Sequence, residues 1–333
     1  MHEVRTSVEA RLHAFLEDKR QETQQLSEES VELVDAVREL TLRGGKRARP
    51  IVMAAGYHAV GGGEAIEPLV DAGAALELLQ SYLLIHDDWM DQDDERRGGP
   101  AAHVALAKAH QNEHLGASLA ILAGDLASAY ASELISEAPF PDARRAAGLR
   151  AFWRIQREVF FGQHLDLIAS PDVDRMYDLK TGSYTVRGPL IVGALLAGAS
   201  EAQLEALRNF AYPLGIAFQL RDELLGTFGD SNATGKPSGN DLRAGKLTHL
   251  VSLARTRIPA EERAPLEAVF GCRNAAQEKV NEATTLLESC GARQSVEERL
   301  DTLRKEASEA LETASFKTER LTTVAALLTD RNH

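Results

Sequence analysis

Cysteine is nearly missing from this chain: of 333 residues only Cys272 and Cys290 carry a thiol, with no Cys-x-x-Cys spacing. That excludes a disulfide-stapled scaffold and a thiolate metal centre, so both are expected as reduced structural thiols. Cations are also in deficit, with 37 Lys and Arg against 50 Asp and Glu and a net charge of −13. Affinity for nucleic acid comes mainly from Lys and Arg neutralising phosphates, so a nucleic-acid binder is excluded. An anionic ligand must therefore find locally inverted charge. Long uncharged runs are absent too: Pro50 to Gly63 and Gly188 to Ser200 fall short of the roughly 18 to 20 residues that a membrane span needs. The start of the chain, with Glu3, Arg5, Glu9 and Arg11, lacks the apolar core of a secretory signal. A cytoplasmic protein without a membrane span is expected.

What the chain does have is 44% hydrophobic and 26% charged residues with few aromatics, at 5%, a composition that leans towards a globular helical protein. Gly and Pro clusters at 61–68, 138–141, 226–245 and 258–265 punctuate segments that read as helices. Between Val70 and Met90 apolar residues surround the helical wheel, as they do again from Ala202 to Leu225, which describes helices buried among helices. From Ala275 onward the pattern turns amphipathic, with Val296, Leu300, Leu303, Ala307, Ala310, Leu311 and Ala314 on one face, and these helices are expected as an outer layer. No β-branched runs alternate with helices, so the fold class is all-α, one large helical bundle spanning 1–333 as a single domain.

Both buried segments end in acid. The first runs into His86-Asp87-Asp88-Trp89-Met90-Asp91-Gln92-Asp93-Asp94-Glu95-Arg96-Arg97-Gly98. Asp87 and Asp91, four apart, share a helix face, and like charges at that spacing repel. A hard divalent cation would relieve the repulsion, and an oxygen-only cluster suits Mg2+ better than Zn2+. The second segment closes on Arg221-Asp222-Glu223-Leu224-Leu225-Gly226, where the partner four residues after Asp222 is missing. The positive counterpart is Arg43-Gly44-Gly45-Lys46-Arg47-Ala48-Arg49-Pro50, whose tandem glycines let backbone approach an anion and whose arginines offer bidentate donors to phosphate oxygens. Arg96, Arg97, Lys180, Lys236 and Lys246 add cations. The stretch from Gly229 to Lys236 is no P-loop, because its glycine spacing is one residue too long and Pro237 stands at the Ser/Thr position. Carboxylates for Mg2+ beside several Arg and Lys are the parts for binding a diphosphate ester and making the diphosphate leave. The apolar helices between would suit a hydrocarbon chain.

In that order along the chain these segments resemble the trans-isoprenyl diphosphate synthases, the polyprenyl synthetase family that includes farnesyl and geranylgeranyl diphosphate synthases. Gly44 to Pro50 resembles GGKRxRP, Asp87 to Asp91 the first DDxxD, Arg96-Arg97 the arginines after it, Gln163 to Asp166 GQxxD, Lys180-Thr181 the KT pair, Phe218 to Glu223 FQxxDD, and Gly235 to Lys246 the closing loop. The resemblance implies a bundle with a central active-site cavity, a homodimer, and condensation of isopentenyl diphosphate with dimethylallyl, geranyl or farnesyl diphosphate using three Mg2+. It assigns Asp87 and Asp91 to two ions and Asp222 to the third, with Asp88 and Glu223 assisting through water or hydrogen bonds. Arg96, Lys180, Lys236 and Lys246 would hold the allylic diphosphate, and Gly45, Lys46, Arg49 and Arg97 the diphosphate of isopentenyl diphosphate. Thr181 and Gln219 would stabilise the allylic cation.

Two departures stand out: Gln80 replaces the His of many members, keeping a hydrogen-bond donor without charge, and the second motif reads Asp222-Glu223-Leu224-Leu225-Gly226. Glu at 223 keeps a carboxylate with longer reach, so weakened or water-mediated metal binding is expected there. The resemblance puts Tyr82, five residues before Asp87, with Leu83 beside it, at the floor of the product pocket. An aromatic there without an insertion in the first motif resembles C20 producers, with C15 as the alternative. A class I terpene cyclase lacks the Arg43 to Pro50 segment, and a non-catalytic partner subunit usually loses the first Asp motif, which is intact here. A di-iron bundle needs Glu-x-x-His pairs, and none of the ten histidines has Glu three positions earlier.

Overall fold

The computed structural model describes residues 1–229 and 239–329. The expected all-α architecture is what it holds: α1 (His2–Leu26), α2 (Val31–Leu42), α3 (Ala48–Ala59), α4 (Val70–Met90), α5 (Ala102–His110), α6 (Glu113–Glu137), α7 (Asp142–Leu167), α8 (Val173–Tyr177), α9 (Gly188–Ala197) and α10 (Glu201–Phe228), then further helices including Asn240–Ala244, His249–Arg257, Gln277–Ser289, Ala292–Glu312 and Glu319–Thr329. Among the described residues the β-structure is a two-residue ladder, β1 (Glu95–Arg96) antiparallel to β2 (Gly99–Pro100). Its turn residues, Arg97 and Gly98, both take positive φ (52° and 72°), as a two-residue type I′ hairpin requires.

The chain, expected as one domain, divides into two compact units, Met1–Ala151 with Pro189–Ala199, and Phe152–Gly188 with the chain from Ser200 onward. In the first unit α4 packs on α6 and is also met by α1, α2 and α3. Its residues from Ala72 to Leu79 are all buried, as the all-round apolar wheel requires. In the second unit α10 packs along Ala292–Glu312, and Tyr177, Ile216, Leu220, Leu250, Val280 and Leu300 belong to one core. The helix Ala292–Glu312 is therefore a core partner of α10, not simply an outer layer. It buries Val296, Leu300, Leu303, Ala307 and Leu311, while Ala314 lies beyond its end.

Local chemistry sets the ends. Ser200 and Gln203 form a reciprocal capping box at the start of α10, satisfying two of the backbone donors that a helix start leaves open. Asn112 accepts from Leu115 N–H at 3.0 Å to begin α6. Both α6 and the stretch Glu67–Met90 are long and apolar enough to cross a membrane, but 67% of the relevant window of the latter is buried within the fold against 39% for α6. The stretch Glu67–Met90 is thus a core helix. Helix α6 leaves Leu115, Ile121 and Leu122 at the surface.

Candidate active site

The last turn of α4 carries Asp87, Asp88 and Asp91, where the helix dipole already disfavours negative charge. Asp88 is fully buried, with 0% exposure. A buried carboxylate survives only if paired, and the hairpin supplies the partner: Arg96 Nε donates to Asp88 Oδ1 at 2.7 Å, its Nη2 bonds the same oxygen, and Nη2 reaches Asp93 Oδ2 at 3.2 Å. Burial pushes the Asp88 carboxyl up, against the pull of Arg96. Arg43 braces the same hairpin, donating to the carbonyls of Arg96 at 3.0 Å and Pro100 at 2.8 Å.

Asp88 Oδ2 is buried without a hydrogen-bond partner, and Asp87 and Asp91 sit one turn apart beside it. An all-oxygen donor set with an unsatisfied buried carboxylate oxygen fits Mg2+. Among the described residues no group of three His, Cys, Asp or Glu side chains is arranged to hold a metal by itself.

The cationic segment between α2 and α3 belongs to the same unit. Gly44, Gly45 and Arg47 have φ of 87°, 143° and 51°; the glycines hold such angles freely, whereas an arginine there costs about 1–2 kcal/mol. A Cβ on Gly45 would lie 3.5 Å from the Arg97 guanidinium. Lys46 is exposed and Arg49 buried. Arg97 donates to the Leu40 carbonyl at 3.3 Å, and burial, with Arg47, Arg49 and Arg96 nearby, lowers its pKa while Glu77 opposes. Further along α4, Gln80 and Leu83 are half-buried and Tyr82 is buried. The Tyr82 ring meets His86 edge-on at 4.9 Å, and burial pushes its hydroxyl up to about 12.

In the second unit the segment Asp178–Arg187 is a π-helix of ten residues, a rare form that is frequent at functional sites. It carries Lys180 and Thr181. Lys180 Nζ is held by Asp166 Oδ2 at 2.5 Å, from the Gln163 to Asp166 stretch of α7. Gly162 makes this possible: a Cβ there would overlap the Lys180 backbone nitrogen and stand 2.6 Å from the Leu179 carbonyl carbon. Asp222, on α10, is exposed and Gln219 half-buried. Lys246 is half-buried, its N–H bonded to the Asp241 carbonyl at 3.0 Å. Lys236 lies outside the described residues.

Glu223 does not behave as the expected metal-side carboxylate. It is 1% exposed and accepts from Tyr177 Oη at 2.8 Å, from Leu250 N–H at 2.7 Å and from the Thr248 hydroxyl. Burial raises its pKa, against those hydrogen bonds. The carboxylate caps the first turn of His249–Arg257 and faces inward. Sequence reasoning found no such role because the partners of Glu223 lie more than twenty residues away on either side. It also passed over Glu77, whose signal was there: one acid inside an otherwise apolar stretch implies a buried partner.

An open groove of about 780 Å³ between α1 and α2 is lined by His13, Arg20, Asp35, Arg38 and Arg43. It carries the ion pair Arg20–Asp35, at 2.9 Å.

An all-α fold in which a buried helix ends in clustered carboxylates, with an arginine-clamped hairpin and a Gly-Gly cationic segment in the same unit, defines an enzyme of diphosphate esters. The polyprenyl synthetase family model matches residues 30–287. A short chain isoprenyl diphosphate synthase of Methanocaldococcus jannaschii is 35% identical over 262 residues, 77% of this chain and 76% of that one. A geranylgeranyl diphosphate synthase of Methanosarcina mazei is 34% identical over 78% of this chain and 77% of its own length. The crystal structure of geranylgeranyl pyrophosphate synthase from Corynebacterium glutamicum, complexed with isoprenyl diphosphate and magnesium, matches with a TM-score of 0.92 at 33% identity, covering 98% of both chains. The chain belongs to the polyprenyl synthetase family and is a short-chain trans-prenyltransferase.

Proposed function

We propose that this chain, acting as one catalytic domain, condenses isopentenyl diphosphate with allylic diphosphates up to the C20 product, geranylgeranyl diphosphate. The observation that carries the reading is the buried Asp88–Arg96 clamp at the end of α4, which fixes the helix end that bears Asp87 and Asp91. Those two carboxylates would hold two Mg2+ and Asp222 a third; the metal, when bound, offsets the charge on the leaving diphosphate. Arg96, Lys180, Lys236 and Lys246 bind the allylic diphosphate, and Gly45, Lys46, Arg49 and Arg97, with Gln80, that of isopentenyl diphosphate. Arg96 and Lys180 are already oriented by Asp88 and Asp166, so little ordering remains when the anion binds. The allylic C–O bond breaks, the isopentenyl double bond attacks the cation beside Thr181 and Gln219, and a proton leaves to the released diphosphate. Tyr82 and Leu83 close the far end of the pocket.

The enzyme is proposed to work in the cytoplasm as a homodimer. Apolar side chains left exposed on α6 (Leu115, Ile121, Leu122) and, separately, on α7 (Trp153, Phe160, Phe161) support the homodimer, since exposed large apolar side chains on one helix mark candidate protein interfaces. Incubating the protein with Mg2+, labelled isopentenyl diphosphate and each of the C5, C10 and C15 allylic diphosphates, then resolving product lengths, tests the reading. C20 as the end product is expected, and no condensation with any primer would overturn it. Sedimentation should give the mass of a dimer.

A further inference from the structure

Glu77 and Arg47 touch none of the groups assigned above to substrate, yet they form a buried ion pair at the root of the cationic segment. Glu77 is 1% exposed and Arg47 3%. Arg47 Nη1 donates to Glu77 Oε2 at 2.8 Å and Nη2 to the Thr41 carbonyl at 2.9 Å, while Nε lies 3.5 Å from Glu9 Oε1. The Thr41 and Ser81 hydroxyls, 2.7 Å apart, join the end of α2 to α4 beside the pair. Three elements, α1, α2 and α4, thus grip one side chain whose backbone has φ of 51°, a conformation that non-glycine residues keep only when their surroundings impose it. Glu77 Oε1 has no hydrogen-bond partner, and its charge is felt at Arg97, where Arg47 and Arg49 act in the opposite sense. One buried carboxylate therefore balances arginines that would otherwise repel one another.

We propose that the Glu77–Arg47 pair is the positioning device of the isopentenyl diphosphate site. It pins the left-handed turn at Arg47, so that Gly45, Lys46 and Arg49 are set against Arg97 before any diphosphate arrives. The proposal rests on the reading of those four residues as that site.

The test is the paired substitution Arg47→Met with Glu77→Leu, which removes the two opposite charges together at similar volume, so that neither member of the pair is left buried and unpaired. The KM for isopentenyl diphosphate should rise about tenfold, with kcat and the KM for geranyl diphosphate within about twofold, since only binding through the prearranged turn is lost. A folded double variant with an unchanged KM for isopentenyl diphosphate, or with both KM values raised alike, overturns the proposal. Glu77→Gln keeps the side-chain volume, and calorimetry should show about threefold weaker binding of isopentenyl diphosphate; unchanged affinity overturns the proposal as well. Arg49→Ala separates the two levels. If it leaves the KM for isopentenyl diphosphate alone, the site itself has been misread, whereas a raised KM beside a silent pair variant removes only the positioning role.

Discussion

Replacing Glu223 by Asp would restore the acid that the family motif usually carries, and the structure says that the restoration should harm the protein. The carboxylate reaches Leu250 N–H at 2.7 Å and Tyr177 Oη at 2.8 Å. Removing one methylene withdraws it by about 1.5 Å, which stretches both contacts beyond hydrogen-bond range. Each buried donor left without a partner costs about 1–3 kcal/mol, so the two together should cost about 2–6 kcal/mol. For a chain of this size that corresponds to a fall of roughly 3–9 °C in melting temperature. The assay is a thermal melt run beside a titration of activity with Mg2+. Lower melting with an unchanged Mg2+ requirement is expected, because the carboxylate is buried and spent on Tyr177 and the Leu250 N–H. An unaltered melt with a lower Mg2+ requirement would refute the argument and return Glu223 to the metal side.

Other perturbations have equally direct readouts. Tyr82→Ala should lengthen the product by at least one isoprene unit, and chromatography showing the wild-type product would remove Tyr82 from the pocket floor. Gly162→Ala forces a Cβ onto the Lys180 backbone and should cost about 1–3 kcal/mol together with turnover; a more stable, fully active variant would contradict the close packing. Asp87→Asn should lower kcat by at least about a hundredfold, the usual loss when a group that stabilises transition-state charge is removed, and withdrawing divalent metal should weaken the allylic diphosphate far more than isopentenyl diphosphate. The His249 hydrogen bond at 2.8 Å holds the Asp174 carboxyl below its ordinary value. A depressed acid stabilises the fold above its unfolded pKa and loses that contribution as pH falls through the folded one. Asp174→Asn should therefore lower the melting temperature near neutral pH and leave it unchanged in strong acid, and an equal drop at both would show that His249 is not the cause.

The readable parts of this protein are those whose cause is local. Helix α4 could be drawn from its apolar wheel, and the placing of Asp87, Asp88 and Asp91 at its end from their order in the chain alone. The hairpin could not, because its two-residue strands are too short to leave a pattern and Arg97 takes a left-handed angle that propensity disfavours. The long-range partners were equally hidden: nothing near Asp88 announces Arg96 as its clamp, and nothing near Glu223 announces Tyr177 or Leu250. Glu77 is the intermediate case. Its burial was implied by its neighbours, while the identity of its partner, thirty residues earlier, came only with the fold.

Helix α4 is gripped at its middle by Arg47 through Glu77 and at its end by Arg96 through Asp88. Ten residues separate Glu77 from Asp87, about 15 Å along a helix axis, so on the proposed assignment the helix is a ruler between the seat of the nucleophile's diphosphate and that of the electrophile's. Substitutions along it can change what fits in the pocket without altering that length. An inserted residue between Tyr82 and Ile85 would turn Asp87 by about 100° and shift it by about 1.5 Å, uncoupling both grips at once. If Tyr82 and Leu83 form the pocket floor as proposed, variation in product length is channelled into side-chain size, and variation in helix length is closed to it.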